Sequence, residues 1–410
     1  MPPIPFSPPR IDDRTVKAVE EALRSGWITT GPRTKEFERM LAAYCGVERV
    51  IALNSWTNAC ELVLRWYGIG PGDEVIVPAY TYCATANIVM HVGAKPVLVD
   101  VLDDFTIDPD AVRRALTPRT KCIIPVDIGG LPARVPEIMR LAEECSPLFT
   151  PAVNLRVAGT NPQMRLGRAL VLADAAHSFG ARIDGRPVGT QADITGFSFH
   201  AVKNLTTAEG GALAFNLPAP FDTDELYRHF NTMSLHGQSK DALAKTQPGA
   251  WRYDVAFPGW KCNMTDLQAA IGLVELERYE DDTLVRRRAI CDRYDRAFSG
   301  DQRFIVPTFR DGKRASSHHL YMLRVRGASE EQRDAIITAI ARRDVSVNVH
   351  FIPLPLLSFY KGLGYRMSDH PRSFELYCKE ISLPVFYDLT DEQVDTVVAA
   401  VKGAVAEVLG

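Results

Sequence analysis

From residue 47 to about residue 215, short and nearly unbroken apolar runs alternate with stretches of helical period. Residues 49–53, 74–77, 96–100, 121–125, 169–172 and 211–215 are the clearest of these runs. Runs so short and continuous predict strands covered on both faces, and their alternation with helices predicts a mostly parallel sheet in an α/β domain. Past the Pro258-Gly259 segment the pattern changes. It predicts a helix from Thr265 through Leu276 to about Tyr294, a strand over 319–325, a helix over 330–342, a strand over 345–349, and a final helix from Asp391 to about Val408. The chain is therefore read as a large α/β domain over residues 1–258 and a smaller α+β domain over 259–410. Residues 146–168, with three prolines and scattered polar positions, read as a loop insertion in the first domain.

Composition acts mainly by exclusion. A chain of 410 residues exceeds the roughly 250–300 at which one core stops growing, which suits two domains. A net charge of −3, with 46% hydrophobic and 24% charged residues, gives no general attraction to nucleic acid or anionic membrane, so a small-molecule partner is expected. Met1-Pro2-Pro3-Ile4-Pro5-Phe6 has no basic or apolar leader character. No later stretch reaches the roughly 18 uninterrupted apolar residues of a membrane span, and a cytoplasmic location is expected. The eight cysteines make no Cys-x-x-Cys or Cys/His spacing, and the nine histidines include no His-Glu-x-x-His. Reduced thiols and no metal site are expected.

In open α/β sheets ligands collect at the carboxyl ends of strands, and four such points carry chemistry. Asn54-Ser55-Trp56-Thr57-Asn58-Ala59 lies between a strand and a helix, where a hydroxyl suits an N-cap and free amides suit a bound phosphate. Ala79-Tyr80-Thr81-Tyr82-Cys83 follows the next strand, and Tyr82 either packs in the core or stacks on a flat heterocycle. Leu172-Ala173-Asp174-Ala175-Ala176-His177 puts an acid at the end of an apolar strand. Its burial demands a partner: a backbone N–H, an Arg, or a protonated ring nitrogen kept cationic as part of an electron sink. Gly196-Phe197-Ser198-Phe199-His200-Ala201-Val202-Lys203-Asn204-Leu205, followed by Glu209-Gly210-Gly211, sets Lys203 between an apolar strand and a Gly-Gly turn. Lys203 is there either a solvated charge or an amine whose pKa desolvation lowers, fit to act as nucleophile and proton carrier.

In Val77-Pro78-Ala79-Tyr80-Thr81-Tyr82, Asp174-Ala175-Ala176-His177 and Ser198-Phe199-His200-Ala201-Val202-Lys203-Asn204, together with Ser25-Gly26-Trp27-Ile28-Thr29-Thr30-Gly31-Pro32, Gly259-Trp260-Lys261-Cys262-Asn263-Met264-Thr265-Asp266-Leu267-Gln268-Ala269-Ala270 and Ser382-Leu383-Pro384, the sequence resembles nucleotide-sugar aminotransferases of the DegT/StrS type. The resemblance runs from about Pro5 to about Val397, interrupted mainly at 146–168. It implies a fold type I transferase dependent on pyridoxal 5′-phosphate (PLP), with a mostly parallel mixed sheet between helices in the large domain. It implies amino transfer, by analogy from L-glutamate, to a keto group of a nucleotide-linked sugar. Lys203 would carry PLP as a Schiff base, Asp174 pair with the pyridinium nitrogen, Tyr82 stack on the ring and His177 lie near the phenolate oxygen. Ser198, Thr57 and the Asn58 amide would hold the phosphate. A homodimer with shared active sites is implied as well, Lys261 reaching the neighbour's phosphate. Thr29, Thr30 and the His318-His319 and His350 regions are candidate contacts to sugar or nucleotide, with packing or surface roles as the alternative.

The chain departs from the common pattern at Trp56 and Asn58, where small residues are usual, at Ala173, where an acid is frequent, and at Lys261 and Asn263, where many members carry Asn and Arg. Asp127-Ile128-Gly129-Gly130 replaces a His-containing stretch of many relatives. Two other readings share the fold. A PLP-dependent sugar dehydratase of this kind typically carries His in place of the Schiff-base Lys, so Lys203 speaks against it. A non-catalytic regulatory or scaffold protein has no need of Lys203, Asp174 and Ser198 together. The pairs Asp12-Asp13, Asp103-Asp104 and Asp281-Asp282 read as solvated turns.

Overall fold

Apolar runs settle as strands when both their faces find cover, and the computed structural model, which describes residues 2–153, 155, 157, 160–240 and 251–410, holds seven side by side. They are β1 (Val50–Leu53), β2 (Glu74–Pro78), β3 (Lys95–Val99), β4 (Thr120–Ile123), β5 (Leu170–Asp174), β6 (Ile194–Ser198) and β7 (Gly211–Phe215). Their order in the sheet is β1-β7-β6-β5-β4-β2-β3. β7 is antiparallel to both its neighbours, and every other pairing is parallel. β1 to β6 therefore all point their carboxyl ends at one edge, and the four segments singled out above leave the sheet there. This is the mostly parallel mixed sheet expected from the pattern.

Helices cover both faces. Ile51 and Leu53 enter the core that holds Trp66 and Phe230, whereas Val50 and Ala52, one residue out of phase, enter the core that holds Phe37, Phe179 and Phe197. Burial on both sides follows from that two-residue period. Four helices matter for the site: α1 (Asp13–Arg24), α2 (Pro32–Cys45), α3 (Trp56–Trp66) and α4 (Ala84–His91). After the sheet, α5 (Asp266–Glu277) begins at a capping box of Thr265 and Gln268 and packs on α1 and α2.

The remainder builds a second core around α6 (Leu284–Phe298), α7 (Glu330–Ala341), α8 (Asp391–Leu409) and a three-stranded antiparallel sheet, β8 (Phe304–Ile305), β9 (Tyr321–Val325) and β10 (Glu380–Leu383), in that order. Ile4 joins this core, its backbone bonded to Asp344 and Ser346.

The structure departs from the pattern-based expectations in four places. The single helix expected to about Tyr294 is two, parted by a π-helical turn at Tyr279–Thr283. The strand expected from residue 319 starts at Tyr321, because His318 sits at φ 54° and the Leu320 N–H turns to the Gly129 carbonyl. Residues 345–349 alternate like a strand but make only two isolated bridges, Val345 to Ile4 and Asn348 to Ser382, so no ladder propagates. The strand that Asn348 meets, β10, escaped the pattern because it is four residues long and wholly buried. Within 146–168 the described residues include a 3-10 turn at Ser146–Leu148 and a short helix at Pro162–Leu166. All eight cysteines are free thiols, and no helix among the described residues is long and apolar enough to cross a membrane.

Candidate active site

The segments after β1, β2, β5 and β6 meet at a cavity of about 480 Å³, closed from the other side by Phe6 and Ser7 and by His319, His350 and Phe351. Each wall follows from its strand. At the end of β1, Ser55 caps α3 by accepting the Asn58 N–H at 3.1 Å, which satisfies one of the four free amides of a helix start. Thr57 lines the cavity on that first turn. Asn58 is spent elsewhere, its amide in the cap and its side chain on Asn54 Oδ1 at 2.8 Å. Trp56 packs under β6, where Gly196 leaves it room: a Cβ there would lie 2.9 Å from the indole nitrogen.

Asp174 ends β5 at 4% exposure. Its Oδ2 accepts from the Thr85 hydroxyl at 2.9 Å and its Oδ1 from the Ala176 N–H at 3.2 Å. Burial nevertheless pushes its pKa up to about 6, against these bonds and the charge of Lys203. Lys203, in the loop after β6, shows the complementary effect: burial brings its pKa down to about 8, and Asp174 pulls the other way. Desolvation thus moves the acid and the base toward each other, the signature of a site adapted for proton transfer near neutral pH. Ser198 ends β6 with its Oγ accepting the His200 N–H at 3.4 Å. Tyr82 stands 58% exposed at the cavity, its ring 5.4 Å from that of Phe351.

The imidazoles of His177, His319 and His350 on the wall are neutral, because burial lowers the pKa of His177 and His319 well below the usual value and that of His350 to about 3. Their tautomers follow from their partners. His177 Nδ1 accepts the Gly129 N–H at 3.2 Å, so its proton is on Nε2. His319 Nδ1 meets Asn204 Oδ1 at 2.7 Å, and Asn204 is oriented by donating its Nδ2 to the Ser317 carbonyl at 2.8 Å. His319 therefore donates through Nδ1. The two rings lie 4.4 Å apart.

The other expected residues stand apart from this cavity. His318 stacks on Phe309 with its back to the site. Thr30 is buried between Met264 and Asn263, both at 2.5 Å, and Thr29 is exposed and gives its carbonyl to the Asp266 N–H. Lys261 is exposed, with its ammonium on Asn263 Oδ1, outside the cavity wall of its own chain. Thr85, Gly129 and Asn204 were assigned no role from the sequence. Thr85 sits three residues past Tyr82 in the first turns of α4, and Asn204 adjoins Lys203, so both carried a positional signal; Gly129 did not. The stretch that replaces a His-containing one thus supplies the backbone donor that fixes His177, while Asp127 itself is buried against Ser178 and Ala133.

These residues fit PLP. A half-buried amine, a buried acid with lone pairs to spare, an Nε2–H, two hydroxyls and the open amides of the α3 start converge on one cavity, matching an aldehyde, a ring nitrogen, a phenolate oxygen and a phosphate.

Comparison with known proteins agrees. The model of the DegT/DnrJ/EryC1/StrS aminotransferase family matches residues 9–148 and 167–402, and the gap falls within the segment read as an insertion. The spore coat polysaccharide biosynthesis protein SpsC of Bacillus subtilis is 38% identical over 98% of this chain and 97% of its own length. Spr1654 of Streptococcus pneumoniae, assigned as a sugar aminotransferase, superposes in its PMP form with TM-score 0.93 at 45% identity, over 99% of this chain and 100% of that one; it has also been solved in a PLP form. Helicobacter pylori PseC, an aminotransferase of pseudoaminic acid biosynthesis, superposes with TM-score 0.85 at 26% identity, over 99% and 100% of the two chains.

Proposed function

This chain belongs to the DegT/DnrJ/EryC1/StrS aminotransferase family, the PLP-dependent sugar aminotransferases of fold type I, and we propose that it moves an amino group from L-glutamate onto a keto group of a nucleotide-linked sugar. The observation that carries this reading is that Lys203 and Asp174 line one cavity, their pKa values drawn to about 8 and about 6 by burial. PLP, when bound, supplies a carbonyl that condenses with amines and a ring that takes up the electron pair released at the donor carbon. Lys203 would hold it covalently and then, as an amine whose lowered pKa makes the free base available at about pH 8, take the proton from the donor Cα and deliver it back. Asp174 would keep the ring nitrogen protonated by presenting a carboxylate that bulk water does not screen. His177 would offer its Nε2–H to the phenolate oxygen. Ser198, Thr57 and the α3 amides suit the phosphate, where the helix dipole favours negative charge. Tyr82, exposed at the cavity, would stack on the cofactor ring.

On the sugar side, His319 and His350 are the wall residues, and Thr29 and Thr30 are not. Lys261, exposed on this chain, suits a role at a neighbour's site in a homodimer. The test is an absorption spectrum of purified protein with PLP, wild type and Lys203→Ala, before and after L-glutamate. Wild type should show the lysine-bound cofactor and convert it to the amine form; Lys203→Ala should bind PLP without the lysine-bound band. Absence of PLP binding overturns the cofactor assignment for this chain, and binding without response to glutamate overturns the donor.

A further inference from the structure

Residues 348–350 run antiparallel to β10. Asn348 and Ser382 exchange two backbone hydrogen bonds, 3.1 and 2.8 Å, and that register brings His350 opposite Glu380 with their side chains on one face. The His350 N–H donates to Glu380 Oε2 at 3.0 Å. Ser382 Oγ lies 2.9 Å from His350 Nδ1 and 2.5 Å from Glu380 Oε1. Phe6 stacks on the imidazole, centroids 5.4 Å apart at 22°, so the ring is held in plane. Glu380 is wholly buried behind the wall, and only His350 of the three lines the cavity.

A carboxyl group, a hydroxyl and an imidazole in series have two consistent hydrogen arrangements. We infer that Glu380, acting through Ser382, sets which ring nitrogen of His350 carries its proton, and thereby whether the cavity wall accepts from or donates to a hydroxyl of the keto sugar. The inference rests on the sugar reading above for its ligand, and on geometry alone for the relay. With Glu380 ionised, Ser382 gives its hydrogen to Glu380 and accepts the Nδ1–H of His350, leaving Nε2 as a bare acceptor. With Glu380 protonated, the acid donates to Ser382 Oγ, the hydroxyl hydrogen turns to Nδ1, and the ring proton stays on Nε2. Passing from the second state to the first releases one proton, and the imidazole is neutral in both.

Both states lie within reach, since burial raises the Glu380 pKa to about 8. Its surroundings are few. Arg333 of α7 donates to the Glu380 carbonyl at 3.2 Å and favours the anion. Arg324 is its cross-strand partner on β9, Tyr80 approaches from beyond β2, and Tyr377 lies under the Arg333 guanidinium. His350 is faced by Lys203, whose charge opposes its protonation, and by His177 and His319, both neutral.

The experiment is ring ¹⁵N NMR on histidine-labelled holoenzyme, with His350→Gln to assign the signal. In wild type the His350 proton should pass from Nε2 to Nδ1 as pH rises, with a midpoint at about 8. Glu380→Gln and Ser382→Ala should abolish that pH dependence. In both variants KM for the sugar should also lose its pH dependence and shift on the order of tenfold, as for one hydrogen bond, with kcat less affected. A wild-type tautomer that never changes with pH, or variants that titrate as wild type does, overturns the relay. A relay that switches in a protein that takes no keto sugar overturns the substrate reading and leaves the relay standing.

Discussion

Replacing Asp174 with Asn should stabilise the cofactor-free protein while disabling it. The folded-state pKa of about 6 lies above the ordinary 3.8, a difference of about 2 units, so the folded chain holds a proton that the unfolded chain releases. Stability is therefore lost as pH rises from near 4 through 6, and by pH 8 the loss is about 3 kcal/mol, about half of it already present at pH 5. Asn is neutral at both pH values and has the same shape. Its oxygen keeps the Ala176 N–H, and its amide donates to Thr85, whose hydroxyl lies 2.9 Å from that of Thr81 and passes its hydrogen there. For a chain of 410 residues, about 3 kcal/mol corresponds to a Tm gain of about 3 °C. Calorimetry of apoprotein should show that gain at pH 8 and about half of it at pH 5. With PLP the order reverses, because the carboxylate then has a cation to face; the variant should bind PLP more weakly and lose roughly 10²–10³ in the glutamate half-reaction. An Asp174→Asn apoprotein no more stable than wild type at pH 8 would refute the view that Asp174 is an incompletely compensated buried charge awaiting its partner.

Attachment of PLP to apoprotein, followed by stopped-flow absorbance, should accelerate with pH and level off above about 8 rather than above 10, because the free amine of Lys203 is the nucleophile; a rate still climbing through pH 10 contradicts a lowered pKa. Gly130→Ala should cost about 2 kcal/mol or more in urea unfolding. Its φ is 102° and a Cβ there would stand 2.4 Å from Ser317 Oγ, so a variant as stable as wild type shows that this turn can relax.

Much of the large sheet was legible because a doubly covered strand writes its burial directly into consecutive residues, as 74–78 and 211–215 do. The four wall segments were legible for a related reason: each lies immediately after its strand, so sequence order stands in for spatial order. Elsewhere the chain carries no such local mark. His318 and His319 are indistinguishable as letters, and only the left-handed turn at His318 sends one to Phe309 and the other to the cavity. Thr30 looks like an exposed hydroxyl in a Gly-rich segment and is instead consumed by Met264 and Asn263, 234 and 233 residues away. Glu380 and Ser382 alternate on a short strand whose purpose appears only when residues 348–350 are laid beside it. The alternation at 345–349 misled for the converse reason, since side chains of strand character had just two isolated bridges to make.

The seating of Ile4 and Phe6 bears on how the protein is made. Ile4 pairs with Val345, and Phe6 lies against His350, so these early residues find their places only after some 340 more have been added. Closing so long a loop is slow in the sense that contact order measures. The large sheet, complete by Phe215, has all its strands far earlier. During synthesis all seven strands are therefore available well before the residues around His319 and His350 that close the other side of the pocket. Appending a bulky tag ahead of Pro2 acts on that last step, and the tail end of α8, remote from the pocket in sequence and anchored in the second core, is the place to attach one.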